Sequence, residues 1–256
     1  MTSRAASTAR KRPAVYEAEE RQIRVQLAAC YRLMHRYAMS DLIYTHVSAR
    51  LPGPDGHFLF NPYGLMFDEI TASNLVEVDR EGNVVGDGEW PVNRAGYVIH
   101  SAVLDGRADV QCALHTHTRA GVAVSTLACG LLPISQHAMQ FHDRIAYHDY
   151  EGIACDLDER QRLVADLGDK NAMVLRNHGL LTVGPSVGDA FLTMFNLEQS
   201  CKIQIDAMRT GADLVYPSAE VCEHAARQFE QGANVEKPAW AALIRQLDRD
   251  DPSYRD

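Results

Sequence analysis

The chain has 256 residues and a formal net charge of −9, with 46% hydrophobic and 23% charged residues, a balance that suits one globular α/β domain. The acidic surplus argues against nucleic acid as a partner, because holding phosphates needs an excess of Lys and Arg to displace counterions. No apolar run reaches the roughly 18–20 residues that span a bilayer, and Met1–Tyr16 lacks the apolar centre of a secretory signal, so a cytoplasmic protein without a membrane partner is expected.

Residues 1–16 read as a disordered tail, rich in Ser and Ala, with Arg10-Lys11-Arg12 as its basic cluster. The domain proper is expected over 17–215. Its first helix is marked by Ile23, Leu27, Cys30, Tyr31 and Met34 at helical spacing. Strand-like runs follow at Leu42–Arg50 and Phe58–Asn61 with the turn Pro52-Gly53-Pro54-Asp55-Gly56 between them, then at Leu75–Asp79 and Val84–Val85. Together they predict an antiparallel meander. Ala95–Leu104 reads as a helix and Val110–His117 as a strand. Ala120–Ala128 is a helix of small residues, suited to close packing on a sheet. Ile145–Tyr150 and Ala172–Val183 are predicted strands. A long helix opens at Ser186, a good N-cap, and stops at Gly211. Its buried stripe runs from Val187 through Ala190, Phe191, Met194, Leu197 and Cys201 to Ile205 and Met208. Residues 216–256 form a polar, helical C-terminal extension. The six cysteines (Cys30, Cys112, Cys129, Cys155, Cys201 and Cys222) show no CxxC spacing, which fits reduced core thiols rather than a disulfide framework.

The chemistry concentrates in three histidines. Alternation along Val110–His117 puts His115 and His117 on one strand face, with backbones roughly 6–7 Å apart. His178, in Arg176-Asn177-His178-Gly179, interrupts an apolar strand where an uncompensated polar ring would be costly. Three neutral imidazoles on one divalent ion leave a coordination position open, the arrangement of catalytic zinc. Three hydrogen-bonded core histidines are the bland alternative.

His115-Thr116-His117 and the downstream Asn177-His178-Gly179 resemble the class II aldolase/adducin family. Phe60-Asn61-Pro62-Tyr63-Gly64-Leu65, Ala95–Ala102, Cys129–Ser135 and Ala146–Tyr150 resemble its adducin branch in the same order. The resemblance spans about Arg24–Gly211. It implies a three-layer α/β/α fold with a central, mostly antiparallel sheet. It also implies a divalent ion on His115, His117 and His178, zinc before manganese, and a homotetramer with active sites between subunits.

The departures from the family pattern bear on the substrate. The sugar-phosphate aldolases carry a Ser-Ser-Glu stretch whose Glu is the acid/base; that position falls here on Gly96, and the serines on Arg94 and Ala95. In the phosphate loop His46 replaces an Asn, while Gly64 keeps the glycine of the second loop. A tyrosine donated by a neighbouring subunit maps near Gln136 or His137. Arg94 and His46 therefore suit a carboxylate or phenolate better than a sugar phosphate, although a structural ion pair would also account for Arg94. His137 is the candidate replacement acid/base, since imidazole serves either role near neutrality. His142 and His148 lie close to it in sequence; His148 belongs to a stretch shared with adducins, and His100 reads as structural. The expected function is a metal-dependent lyase that cleaves a C–C bond of an unphosphorylated hydroxy or oxo acid or an aromatic substrate, by retro-aldol cleavage or decarboxylation through a metal-stabilised enolate. The alternative is a non-catalytic scaffold like the adducin head.

Overall fold

The computed structural model describes residues 14–86, 90–152, 159–232 and 238–256. The first thirteen residues of the expected tail lie outside these. Helix α1 (Ala14–Arg36) buries Leu27, Cys30, Tyr31 and Met34 completely, as their spacing predicts. The Tyr31 hydroxyl donates to the Val47 carbonyl (2.6 Å) and accepts from the Val47 N–H (2.7 Å), pinning the helix to the first strand.

Seven strands, β1 (His46–Arg50), β2 (Phe58–Phe60), β3 (Val76–Val78), β4 (Cys112–Thr116), β5 (Ile145–His148), β6 (Ala172–Leu175) and β7 (Gly179–Gly184), make one sheet. Its order is β3-β2-β1-β4-β7-β6-β5, antiparallel throughout except for the parallel pair β5/β6. The remaining α-helices among the described residues are α2 (Arg94–Gly106), α3 (Arg119–Ser125), α4 (Gln136–Met139), α5 (Glu159–Leu167), α6 (Val187–Arg209), α7 (Ala219–Gly232) and α8 (Pro238–Asp250).

The strands alternate their side chains between two cores. Cys112, Leu114 and Leu180 join α1 and α6 on one face; Ala113, Met173 and Leu181 join α2 and α5 on the other. The fold is therefore the expected three-layer α/β/α arrangement with a mostly antiparallel sheet. Small residues in α3 permit close approach to β7: a Cβ on Gly121 would fall 2.7 Å from Leu180 Cδ1. Ser186 caps α6 by accepting from the Asp189 N–H, and Gly211 follows its end at φ +70°. Met208, expected in the buried stripe, is 38% exposed, because the helix outruns the core in its last turn.

Two predicted strands differ in ways that matter for the site. Only the second half of Leu42–Arg50 is extended. Leu42 (φ +49°) and Thr45 (φ +64°) take left-handed conformations that fold residues 41–44 into a tight turn. Ala172–Val183 is a hairpin rather than one strand: Asn177 sits at φ +57° and reverses the chain, so Leu175 pairs with Gly179. The C-terminal segment folds back over the domain. Trp240 packs on Phe191 (5.6 Å between ring centroids), and Tyr254 is fully buried with its carbonyl accepting from the Ala72 N–H. No helix among the described residues is long and apolar enough to cross a membrane.

Candidate metal centre

The sheet's central strands deliver the three histidines to one point. His115 is on β4 and His117 just past its end, while His178 lies in the turn between β6 and β7, where β7 runs against β4. Gly179 permits this approach, since any Cβ there would collide with the Thr116 carbonyl oxygen. Thr118 fixes the chain after His117: its hydroxyl donates to the buried Glu198 and accepts from the Gly121 N–H to cap α3. Burial raises the Glu198 pKa.

The ring nitrogens lie close enough together for one ion to reach all three. The Nε2 atom of His117 lies 2.8 Å from His115 Nε2 and 2.9 Å from His178 Nε2. His115 Nδ1 faces the Leu180 carbonyl at 2.8 Å and His117 Nδ1 faces the Asp41 carboxylate at 3.0 Å. A carbonyl and a carboxylate accept, so both Nδ1 atoms carry the hydrogen and both Nε2 atoms present lone pairs. With neutral rings, a proton on His178 can satisfy its contact with His117, but the His115–His117 contact is then lone pair against lone pair. A divalent cation satisfies all three at once, and buried hydrogen-bonded Nδ1 atoms are the usual support of metal-ligating imidazoles. Burial, then the neighbouring His178 and His117, holds His115 well below the usual imidazole range. His178 is lowered to about 4, first by burial and then by His117. These three are the only group of three or more potential ligands found among the described residues.

A cavity of about 290 Å³ opens on this cluster, lined also by Tyr44, His46, Asn93, Gly96, Ile99 and Tyr150. His46 pairs directly across the strands with His115, placing the rings 5.7 Å apart. It is buried, and neither of its ring nitrogens has a hydrogen-bond partner among the described residues. Burial, followed by the nearby His100, keeps it far below its ordinary pKa, so it enters the site as a neutral ring rather than a cation. His46 also explains Gly96: a Cβ at position 96 would fall 2.5 Å from His46 Cδ2 and nearer still to its Nε2 and Cε1. The imidazole occupies the space into which a side chain at 96 would project. His100 stands behind, its Nδ1 2.6 Å from Ser48 Oγ, tying α2 to β1.

The other expected site residues lie outside this cavity in the single chain. Arg94 is exposed at the start of α2, one residue from Asn93. Gly64 is exposed at φ +126° and packs against Trp90. His137 is exposed on α4, and His142 lies 3.7 Å from Asp143. His148 is buried with its Nδ1 2.7 Å from Asp166. Asp41 was not singled out by the sequence: it lies 76 residues from the histidine it orients, and nothing in its local pattern marks it.

A sheet with two helical faces and three converging histidines at the end of its central strands defines the class II aldolase fold. The model of the Class II Aldolase and Adducin N-terminal domain matches residues 25–205, and the chain belongs to this family. A crystal structure of an aldolase II superfamily protein from Pseudomonas syringae is 56% identical, covering 93% of this chain and 96% of its own at a TM-score of 0.88. An L-fuculose 1-phosphate aldolase from Glaciozyma antarctica is 27% identical, covering 97% and 98% at a TM-score of 0.81. Mouse alpha-adducin is 46% identical over 77% of this chain, which spans 27% of that longer protein.

Proposed function

We propose that this chain is a zinc-dependent lyase that cleaves a C–C bond of an unphosphorylated hydroxy or oxo acid, by retro-aldol cleavage or decarboxylation. The observation that carries the reading is the trio of Nε2 atoms, two of them fixed as lone-pair donors, facing a cavity in which Gly96 leaves no carboxylate. A divalent ion bound there supplies Lewis-acid stabilisation of an enolate. His115, His117 and His178 hold it, and Asp41 keeps the His117 ring in register. No Lys, Arg, Asp or Glu is among the described residues that line the cavity, so an anionic group of the substrate has its cationic partner outside that lining. Arg94, beside Asn93 at the rim, receives the acid group, with His46 and Gly64 completing the binding surface. His137 acts as the acid/base in a neighbouring subunit of a homotetramer, since it lies outside the cavity of its own chain.

Metal analysis and turnover test this together. The purified protein should hold one zinc per chain, lost in His115→Ala, His117→Ala and His178→Ala, and should turn over hydroxy or oxo acids in preference to sugar phosphates. Arg94→Ala should raise KM, and His137→Ala should chiefly lower kcat. Efficient cleavage of fuculose 1-phosphate overturns the substrate assignment. The 46% identity to mouse alpha-adducin supports a second reading, a non-catalytic scaffold. That reading requires a folded chain without stoichiometric metal.

A further inference from the structure

We infer that the cavity takes a compact ligand whose uncharged aromatic body is held between Tyr44 and Tyr150, beside the histidine cluster. This rests on the metal-centred reading above and names the substrate class it serves.

Large apolar side chains left in solvent are worth explaining when they gather at a concave site. Tyr44 is 46% exposed and Tyr150 53%, and both line the cavity that opens on the histidine cluster. They arrive from separate parts of the chain, Tyr44 from the turn before β1 and Tyr150 from the segment after β5. The Tyr150 ring lies 6.4 Å from that of His178 at an interplanar angle of 74°. Tyr44 is held where it is at a conformational cost. Leu42 and the β-branched Thr45 flank it at φ +49° and +64°, a region that such residues avoid. The Tyr44 N–H donates to the Asp41 carbonyl at 2.8 Å, so the turn that presents the tyrosine also presents the Asp41 carboxylate to His117. One strained turn thus serves the metal ligand and the cavity mouth together.

The same cavity is lined by the three clustered histidines and by His46, whose ring nitrogens have no hydrogen-bond partner among the described residues. At about 290 Å³ the space falls at the lower end of small-molecule sites, about 300–1,000 Å³, which suits one ring rather than an extended chain. A phosphorylated or polyhydroxylated body would find no charged partner among the described lining residues.

Hydroxamates separate this inference from the metal reading, since they chelate zinc through two oxygens whatever their substituent. Isothermal titration of the zinc-loaded full chain should show benzohydroxamate binding at least about tenfold tighter than acetohydroxamate, the scale of one buried aromatic contact. Phosphonoacetohydroxamate should show no advantage over acetohydroxamate. Tyr44→Ala and Tyr150→Ala should each shrink the ratio of the two affinities, read on variant protein loaded with one zinc per chain. Equal binding of the two unphosphorylated probes overturns the aromatic assignment while leaving the metal reading intact. So does an aromatic advantage that survives both substitutions, or a preference for the phosphonate. If the tyrosine variants change the sedimentation coefficient and not the probe ratio, the rings belong to a subunit contact and the inference fails. A chain that holds no zinc sinks the metal reading and this inference together.

Discussion

Gly96→Ala sets two effects of opposite sign against each other. Position 96 is within α2, where replacing Gly by Ala ordinarily stabilises by about 0.5–1 kcal/mol through reduced chain entropy. The added methyl, however, would lie 2.5 Å from His46 Cδ2 and closer to two other ring atoms, inside the 3.0 Å that real Cβ atoms essentially never breach. His46 has little room to yield, with His100 at 4.6 Å and His115 at 5.7 Å between ring centroids. Overpacking of this kind costs about 1–3 kcal/mol. At the middle of both ranges the clash wins, leaving a net loss of about 1 kcal/mol. For a chain of this size that lowers Tm by roughly 2–4 °C. Thermal unfolding of Gly96→Ala, His46→Ala and the double variant measures the coupling directly. In the His46→Ala background the same methyl should become neutral or stabilising, because the obstructing ring is gone. A higher Tm for Gly96→Ala in the otherwise unaltered protein would refute the interlock of His46 with Gly96.

Asp41→Asn should weaken zinc binding by about 10–100-fold, the usual loss when the support of a ligating histidine is removed; competition with a chromophoric chelator measures it, and unchanged affinity would show that Asp41 is a bystander. Acidification should destabilise the metal-free protein: His178 is lowered to about 4 in the fold against about 6.5 in the unfolded chain. Between those values the unfolded chain binds the extra proton, so stability is lost as pH falls from about 6.5 towards 4, and the depressed His115 adds to the same slope. Denaturant melts of chelator-treated protein at pH 7 and 4.5 check the sign, and a flat profile would contradict it.

The sequence exposed the three clustered histidines because they are local signals: two on one face of a strand, and a third where an apolar run breaks. It misjudged how the third is carried. Asn177, two residues before Gly179, is turn chemistry, yet the apolar residues on either side read as one strand, and the left-handed Asn177 made them two. Leu42 and Thr45 misled for the related reason that β-formers seldom take positive φ, so their propensity pointed to extension. Helix α5 was missed because its nine residues bury only Glu159, Leu163 and Leu167. The parallel pairing of β5 with β6, and the approach of Asp41 to His117, depend on tertiary contacts that no local pattern encodes. His46 was visible as a site residue but not as a neutral, buried ring, because its burial by α2 is a property of the assembled layers.

The three ligands also belong to different moments in the life of the chain. His115 and His117 are neighbours in any extended segment, so even an unfolded chain offers a metal ion a weak two-point grip. His178 comes from 61 residues further along, on a hairpin that must first form and then dock against β4. Long-range pairings of this sort are slow to assemble because loop closure precedes their reward. An ion captured early would therefore ride on the growing sheet half-coordinated, and only the arrival of the β6–β7 hairpin would complete its shell. Whatever affinity the unfolded pair already has subtracts from the stabilisation the ion gives the native state. The completed cluster thus reports one event, the docking of the β6–β7 hairpin against β4.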